Sequence, residues 1–436
     1  MTTEKRLPHW VTHRGGIDEH AFCQTFMNKH HIVCYKGVFF SPEGRLDPFT
    51  VRQMIFEEMK EYIYSNIARK VDCCLNTLRY VASREEMEED LSQTLMTVHA
   101  ANGEYLLSEG RLSPVKQMTR FRLAVDYNPD APRPEKWLKF LSELLYEEDI
   151  QTLQEYMGYC LIPCTLGQKM LLITGKGGEG KSRIGVVLKA LLGHTLCLGS
   201  IAKVEKSPFA RADLEHMLVM VDDDLKMEAM DQTNYLKSII TAELPMDLER
   251  KGEQSFQGEL FVRFLAFGNG SLQALHDRSH GFFRRQIILE AKERAPGRKD
   301  DPYLGWSLQQ EKEGILLWCI EGLERLIIQD FKFTMSRRAR ENLLRSMAQS
   351  NNIPEFLRSE GYITFAADAE VTSKALYECY QKWCLDNVHV PLRPNTFWAF
   401  LNQNLQTYQI KPTRSILIGN EKYARGYRGI ALRSVM

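Results

Sequence analysis

The sequence has no long apolar run. Its longest stretches, such as Gly314–Ile320, fall far short of the roughly 18 residues that a membrane span requires. Residues 1–8 have neither an apolar core nor a small-residue cleavage site, so no signal peptide and a cytoplasmic location are expected. There is no cysteine framework either. Ten cysteines are scattered, and the near pairs Cys73–Cys74, Cys160–Cys164 and Cys379–Cys384 all lack the two-residue gap of a zinc knuckle or a dithiol redox motif. Reduced, mostly buried thiols are the expectation. Net charge is absent: 56 Lys and Arg balance 56 Asp and Glu. A neutral total does not exclude a nucleic-acid partner, because only the local field matters there. No repeat or low-complexity tract is present. With 26% charged and 44% hydrophobic residues, the chain is neither disordered, nor collagenous, nor a disulfide-stapled miniprotein.

What is present reads as three blocks in 436 residues. Residues 1–150 are expected to be mainly helical, with Met54, Ile55, Met59, Tyr62 and Ile63 at helical spacing. The acidic run Glu85–Asp90 reads as a solvated helix face, and the three prolines within Asp126–Pro134 mark a boundary. Helices are expected over Glu135–Tyr146 and Glu148–Leu161, the second carrying Leu153, Tyr156, Met157 and Cys160 inward. Residues 151–350 change character. The apolar runs Met170–Thr174, Met217–Val221 and Phe261–Phe267 alternate with helical stretches, which predicts an α/β domain with a mostly parallel sheet. Residues 365–436 predict helices over Ser373–Asp386 and Phe397–Leu405, then a hairpin with a Gly419-Asn420 turn and a last strand at Tyr427–Leu432. That order fits a small winged-helix-like domain.

The chemistry concentrates in the second block. Gly175-Lys176-Gly177-Gly178-Glu179-Gly180-Lys181-Ser182 matches the phosphate-binding pattern G-x-x-x-x-G-K-[ST] without a mismatch, between a predicted strand and a predicted helix. Glycines let backbone N–H groups close around phosphate oxygens at a helix N-terminus. Lys181 is then expected on the β- and γ-phosphates of ATP and Ser182 on Mg2+. The strand Met217–Val221 runs into Asp222-Asp223-Asp224, where one carboxylate, Asp222 by expectation, would help hold the hydrated Mg2+ and another would polarise the attacking water; Asp222 and Asp223 stand ahead of Asp224 for these two roles. Phe264–Gly268 ends at Asn269, placed to touch the γ-phosphate and orient water. Arg284 and Arg285, between aromatics and a new strand, could be an ordinary salt-bridged pair or an arginine finger reaching a neighbouring subunit's nucleotide, Arg284 ahead of Arg285.

The order of these elements resembles the superfamily 3 helicases of the AAA+ class, in the branch of phage, plasmid and poxvirus primase-helicases. Its motifs A, B, B′ and C match Gly175–Ser182, Met217–Asp224, Leu236–Phe256 and Phe264–Asn269, with a finger near Arg284. Trp137–Leu145, Leu153–Leu161 and Gly314–Leu323 resemble the helical segments that flank the family's motor. The resemblance implies a P-loop AAA+-like motor preceded by a helical domain, ATP and Mg2+ at the interfaces of a hexameric homo-oligomeric ring, and single-stranded or forked DNA as partner. It places Lys237, Arg250 and Lys251 in a channel-facing hairpin that grips DNA. It implies no membrane partner and a phage-infected cell or bacterial host as setting. Little room remains for a primase before the motor, so a separately encoded primase is a further expected partner.

The last stretch adds Lys411, Arg414, Lys422, Arg425, Arg428 and Arg433 against one acid, Glu421, with Tyr408, Tyr423 and Tyr427 interleaved. Such a hairpin suits phosphate contact and base stacking. The leading expectation is an ATP-dependent DNA helicase for replication of a phage or mobile element, translocating on single-stranded DNA. The alternative is an ATP-switched replication initiator that binds origin DNA and unwinds little.

Overall fold

The computed structural model describes residues 7–12, 15–85, 96–225, 233–252, 254–269, 280–294, 297, 300–350, 352–359, 361–387, 389, 391–418 and 422–433. They fall into two compact units. The larger holds the described residues up to 225, 233–269 and 284–340; the smaller holds 280–283 and those from 341 onward. No helix among the described residues is long and apolar enough to cross a membrane. The Gly419-Asn420 turn and most of the Glu85–Asp90 run lie outside the described residues.

The first part of the larger unit corrects the expectation of a mainly helical block. Helices Glu19–His30, Pro48–Met59 and Ile67–Val81 are present, the first two started by Asp18 and Asp47, whose carboxylates accept from first-turn N–H groups. Between and after them lie seven short strands: β1 (Val33–Tyr35), β2 (Val38–Ser41), β3 (Gly44–Leu46), β4 (Ser83–Arg84), β5 (Thr97–Ala100), β6 (Gly103–Leu106) and β7 (Arg111–Ser113). They form two sheets, ordered β3-β2-β1-β4 and β5-β6-β7. Strands of two to four residues are too short to show an alternation, which is why the sequence pattern hides them.

The expected parallel sheet follows. Its strands are β8 (Met170–Thr174), β9 (Leu196–Leu198), β10 (Val219–Leu225), β13 (Arg263–Gly268) and β14 (Gln286–Glu290), in the order β14-β8-β13-β10-β9, every pairing parallel. A small antiparallel hairpin, β11 (Met246–Leu248) and β12 (Phe256–Gly258), projects between β10 and β13 in the chain. Leu171, Leu172, Ile173, Leu265 and Ile287 are fully buried, as expected of strands covered on both faces.

The two predicted flanking helices form as Glu135–Leu144 and Glu147–Tyr159. The second lies directly on the helix Lys312–Ile328, and small residues make the close approach possible. A methyl on Gly158 would stand 2.6 Å from the Leu323 nitrogen and nearer still to the Cys319 carbonyl oxygen. Tyr156 Oη then donates to the Phe264 carbonyl at 2.7 Å, tying this helix pair to the sheet's central strand. Leu153, Tyr156, Met157 and Cys160 are all buried, as their spacing predicted.

The smaller unit has helices Ile353–Arg358, Ser373–Asp386 and Pro394–Gln403 and an antiparallel sheet ordered β15-β17-β16, where β15 is Ile363–Thr372, β16 Lys411–Ile418 and β17 Lys422–Leu432. Its core contains Phe356, Tyr380, Trp383 and Phe397. β15 was not anticipated. Its middle is exposed, and its pairing shifts register between Phe365 and Glu370, so no two-residue period survives.

Candidate functional site

In a parallel sheet every strand ends on the same rim, and loops leaving that rim converge. β8 ends at Thr174 opposite Gly268 of β13, and Gly175 N donates to the Gly268 carbonyl at 3.1 Å. This bond brings the start of the Gly175–Ser182 loop beside Asn269, which is exposed. Gly177, Gly178 and Gly180 have φ of 108°, 80° and 100°. Side chains rarely adopt such values, so glycine here turns the N–H groups toward one another. The helix Ser182–Leu192 begins at once, as predicted, with Ser182 exposed at its first position.

Inside the loop sits an anion that belongs to the protein. Glu179 Oε1 accepts from the backbone N–H of Lys176 and, at 2.7 Å, from that of Gly177. Its Oε2 accepts from Lys181 Nζ at 2.6 Å. Both side chains are buried, Glu179 to 3% and Lys181 to 7% exposure. Burial alone would raise the Glu179 pKa; the bonds from Lys181 and the loop N–H groups outweigh it and hold the carboxyl below its ordinary range. Lys176 points outward and pairs with Glu293 at 2.5 Å. The next residue along, Arg294, brings Nη1 to 3.9 Å from where a methyl on Gly178 would stand and pairs with Asp300 at 3.0 Å. Sequence reasoning missed Arg294; no motif marks it, and only the parallel pairing of β14 with β8 delivers it to the loop.

The acidic triplet differs from expectation in one respect. It lies within β10 rather than after it, and the register with β13 shifts between Asp222 and Leu225. Asp222 is consequently buried, while Asp223 and Asp224 are exposed. One Asp222 oxygen accepts from Ile201 N at 2.8 Å, at the start of the helix Ile201–Lys206. Burial, with the neighbouring charges of Asp224 and Asp223, raises its pKa despite the backbone bonds it accepts. Asp223 and Asp224 thus face solvent, whereas Asp222 is held by a backbone N–H. Among the described residues no three His, Cys, Asp or Glu side chains converge as a metal cluster. A phosphate-bound Mg2+ requires none, since one or two protein oxygens, waters and phosphates complete its shell.

Arg284 and Arg285 sit at the other rim. Arg285 immediately precedes β14, whose Gln286 pairs with Met170 at the start of β8, and Met170 N donates to the Arg285 carbonyl at 2.8 Å. Five residues of β8 at about 3.3 Å each separate that rim from the loop by roughly 15 Å or more. Arg284 is exposed and Arg285 half-buried. Lys169 lies with them, donating to the Arg284 carbonyl, and its pKa is pushed down by burial and by the two guanidinium charges.

The structure brings the hairpin cations into a different setting from a bare DNA grip. Arg250 Nη2 pairs with Glu215 at 2.5 Å and its Nη1 donates to the Lys36 carbonyl at 3.0 Å. Lys36 Nζ takes the other Glu215 oxygen at 2.6 Å. Arg250 thus anchors the hairpin to the β1–β2 turn, and Lys251, next to Gly252 at the tip, remains exposed. Lys237 is half-buried on the helix Asn234–Thr241. Beside Glu215, His216 is buried against Tyr35 and Phe40 with neither ring nitrogen hydrogen-bonded. Burial, then the charges of Arg120, Arg45, Arg250 and Lys36, push its pKa down to about 2. Glu215 Oε2 lies 4.0 Å from its Nε2, too far for a hydrogen bond and already spent on Arg250.

In the smaller unit, Lys411, Arg414, Arg425 and Arg428 are all exposed on β16 and β17, and Lys422 starts β17. Arg414 and Arg425 line one cleft of about 350 Å3 with Ser373, Asn402 and Thr413. Arg428 pairs with Glu370 at 2.6 Å. Of the three tyrosines only Tyr423 offers an open ring. Tyr427 is buried and stacked on Trp398, and Tyr408 is stacked on Phe365.

The profile of a family of unknown function, DUF5906, matches residues 173–285, which span the glycine loop, the acidic strand and Asn269. No curated protein matches the chain. Among solved structures, an A-form apo structure of the NrS-1 C-terminal region superposes with a TM-score of 0.51 at 13% identity, covering 95% of this chain and 100% of that one. Another A-form apo structure of that region gives 0.49 at 15% identity, covering 91% and 88%. The chain thus shares its fold with the NrS-1 C-terminal region over nearly its whole length.

Proposed function

We propose that the larger unit is a Mg2+-dependent ATPase motor and that the chain is an ATP-dependent DNA helicase for replication of a phage or mobile element. One observation carries this reading: the glycine loop Gly175–Ser182, Asn269 and the carboxylates of β10 share the C-terminal rim of a parallel sheet. The loop fits phosphate because its donors already surround an anion. Lys181 would hold the β- and γ-phosphates, Ser182 and the exposed aspartates would take the hydrated Mg2+, and Asn269 would orient water. Bound Mg2+ would neutralise charge developing on the phosphates. Arg284 and Arg285, a rim away from their own loop, fit a finger offered to the next subunit of a ring. Lys251 and the basic face with Arg414 and Arg425 would meet DNA, the latter on a winged-helix-like unit.

The anchoring of Arg250 favours the second reading, an ATP-switched initiator, because a pinned hairpin does not stroke along a strand. ATP hydrolysis measured with and without single-stranded DNA, beside strand displacement and a Lys181→Ala control, separates the two. DNA-stimulated hydrolysis with displacement, both lost in the control, is expected. Hydrolysis that ignores DNA and displaces nothing would replace the helicase with the switch. No hydrolysis at all would end both.

A further inference from the structure

Glycine loops of this pattern are built to surround phosphate, so a buried side-chain carboxylate at their centre is a competitor for the same donors. Glu179 is that competitor. One oxygen is held by two successive backbone N–H groups, Lys176 and Gly177, and the other by the ammonium of Lys181. Those are the groups that a nucleotide's phosphates would need. The carboxylate reaches them because it leaves the loop one residue before Gly180, whose φ of 100° turns the chain back toward Lys181. It does not hang in solvent, being 3% exposed. Gly175 makes room for it: a methyl there would stand 2.8 Å from Glu179 Oε1 and 2.7 Å from Lys181 Nζ.

We propose that Glu179 is a specificity-determining residue of the nucleotide site, an internal anion that a ligand must displace from the loop before its phosphates can bind. This rests on the ATPase reading above. Because the loop must be emptied before any phosphate enters, the plug weakens every phosphate ligand by a common factor, and only a ligand of high intrinsic affinity, a Mg2+-bearing triphosphate ahead of a single phosphate, then occupies the loop at a given concentration. The displaced carboxylate would also remain beside the bound phosphates, adding a like charge that penalises metal-free nucleotide more than the Mg2+ complex. A site that is competent only while the plug is out binds with an affinity reduced by the fraction of time it is out.

The test uses the full chain and titrates MgATP, MgADP, inorganic phosphate and adenosine into the wild type, Glu179→Ala, Glu179→Gln and Lys181→Ala. Glu179→Ala is expected to tighten MgATP, MgADP and inorganic phosphate by a common factor of about ten or more. Adenosine, which brings no phosphate, should be unchanged. Glu179→Gln should fall between, since the amide keeps one acceptor and loses the charge. Circular dichroism and melting temperature check that the variants fold. Wild type and Glu179→Ala binding every phosphate ligand alike, or Glu179→Ala binding them more weakly, would overturn the plug and leave the ATPase reading standing. Phosphate ligands bound by neither wild type nor any Glu179 variant would overturn both. Phosphate-ligand binding that is undiminished in Lys181→Ala would show that phosphate lies elsewhere and would overturn both as well.

Discussion

His216 makes the larger unit sensitive to acid in a way that can be calculated. Its ring is buried among Tyr35, Phe40 and Glu215, with Arg120, Arg45, Arg250 and Lys36 close enough to oppose a positive charge. In the folded state its pKa is about 2, against an ordinary value of 6.5. The unfolded chain therefore takes up a proton below pH 6.5 that the folded chain refuses. Stability from this residue is complete above pH 6.5 and declines as pH falls toward 2. The slope is about 1.4 kcal/mol per pH unit, or about 2.7 kcal/mol over the first two units. His216→Leu keeps the volume and removes the proton site. Neither ring nitrogen has a hydrogen-bond partner to lose, so the variant should be as stable as the parent, or more so, at pH 7 or above. Urea unfolding of parent and variant, followed by tryptophan fluorescence at several pH values, gives the difference directly. The carboxylates titrate alike in both and cancel. Parallel curves for parent and variant between pH 6.5 and about 4.5 would refute the reasoning, because the burial and the cation field could not then be holding the ring neutral.

Two other consequences are open to simple measurement. Gly158→Ala should destabilise the larger unit by about 2–3 kcal/mol, since the added methyl meets the backbone of the facing helix and neither helix can yield without disturbing the sheet contact of Tyr156; thermal melts check it. Arg250→Ala leaves the buried Glu215 with Lys36 alone and should cost about 3 kcal/mol. Lys251→Ala should leave the melting temperature alone, weaken single-stranded DNA binding and lower its salt slope by about one. If the two variants exchange these effects, the roles given to the two residues are reversed.

What was legible in the sequence was local. All eight residues of the glycine loop are consecutive, and three of its four glycines stand where the turn needs positive φ, so pattern and geometry coincide. The strand Met170–Thr174 and the helices around Leu153 and Ser373 announced themselves by apolar runs or by periodicity. The failures are non-local. Arg250 reads as a free loop cation until Glu215, 35 residues away, and Lys36, 214 away, are seen beside it. That Asp222 is buried while Asp223 and Asp224 face solvent was not legible either, because three identical letters carry no trace of the register shift inside β10. Tyr427 looked like a base-stacking ring because its basic neighbours are exposed; strand alternation turns it into the core instead.

The two rims of the parallel sheet are unlike one another. One bears the anion-binding loop and a row of aspartates; the other bears Lys169, Arg284 and Arg285. If Arg284 and Arg285 serve a neighbouring copy's loop, as proposed, and the copies follow head to tail, the series either closes into a cyclic ring or runs on as a filament. An open arc would then leave one loop without arginines and one arginine pair without a loop, and closure would remove both ends at once.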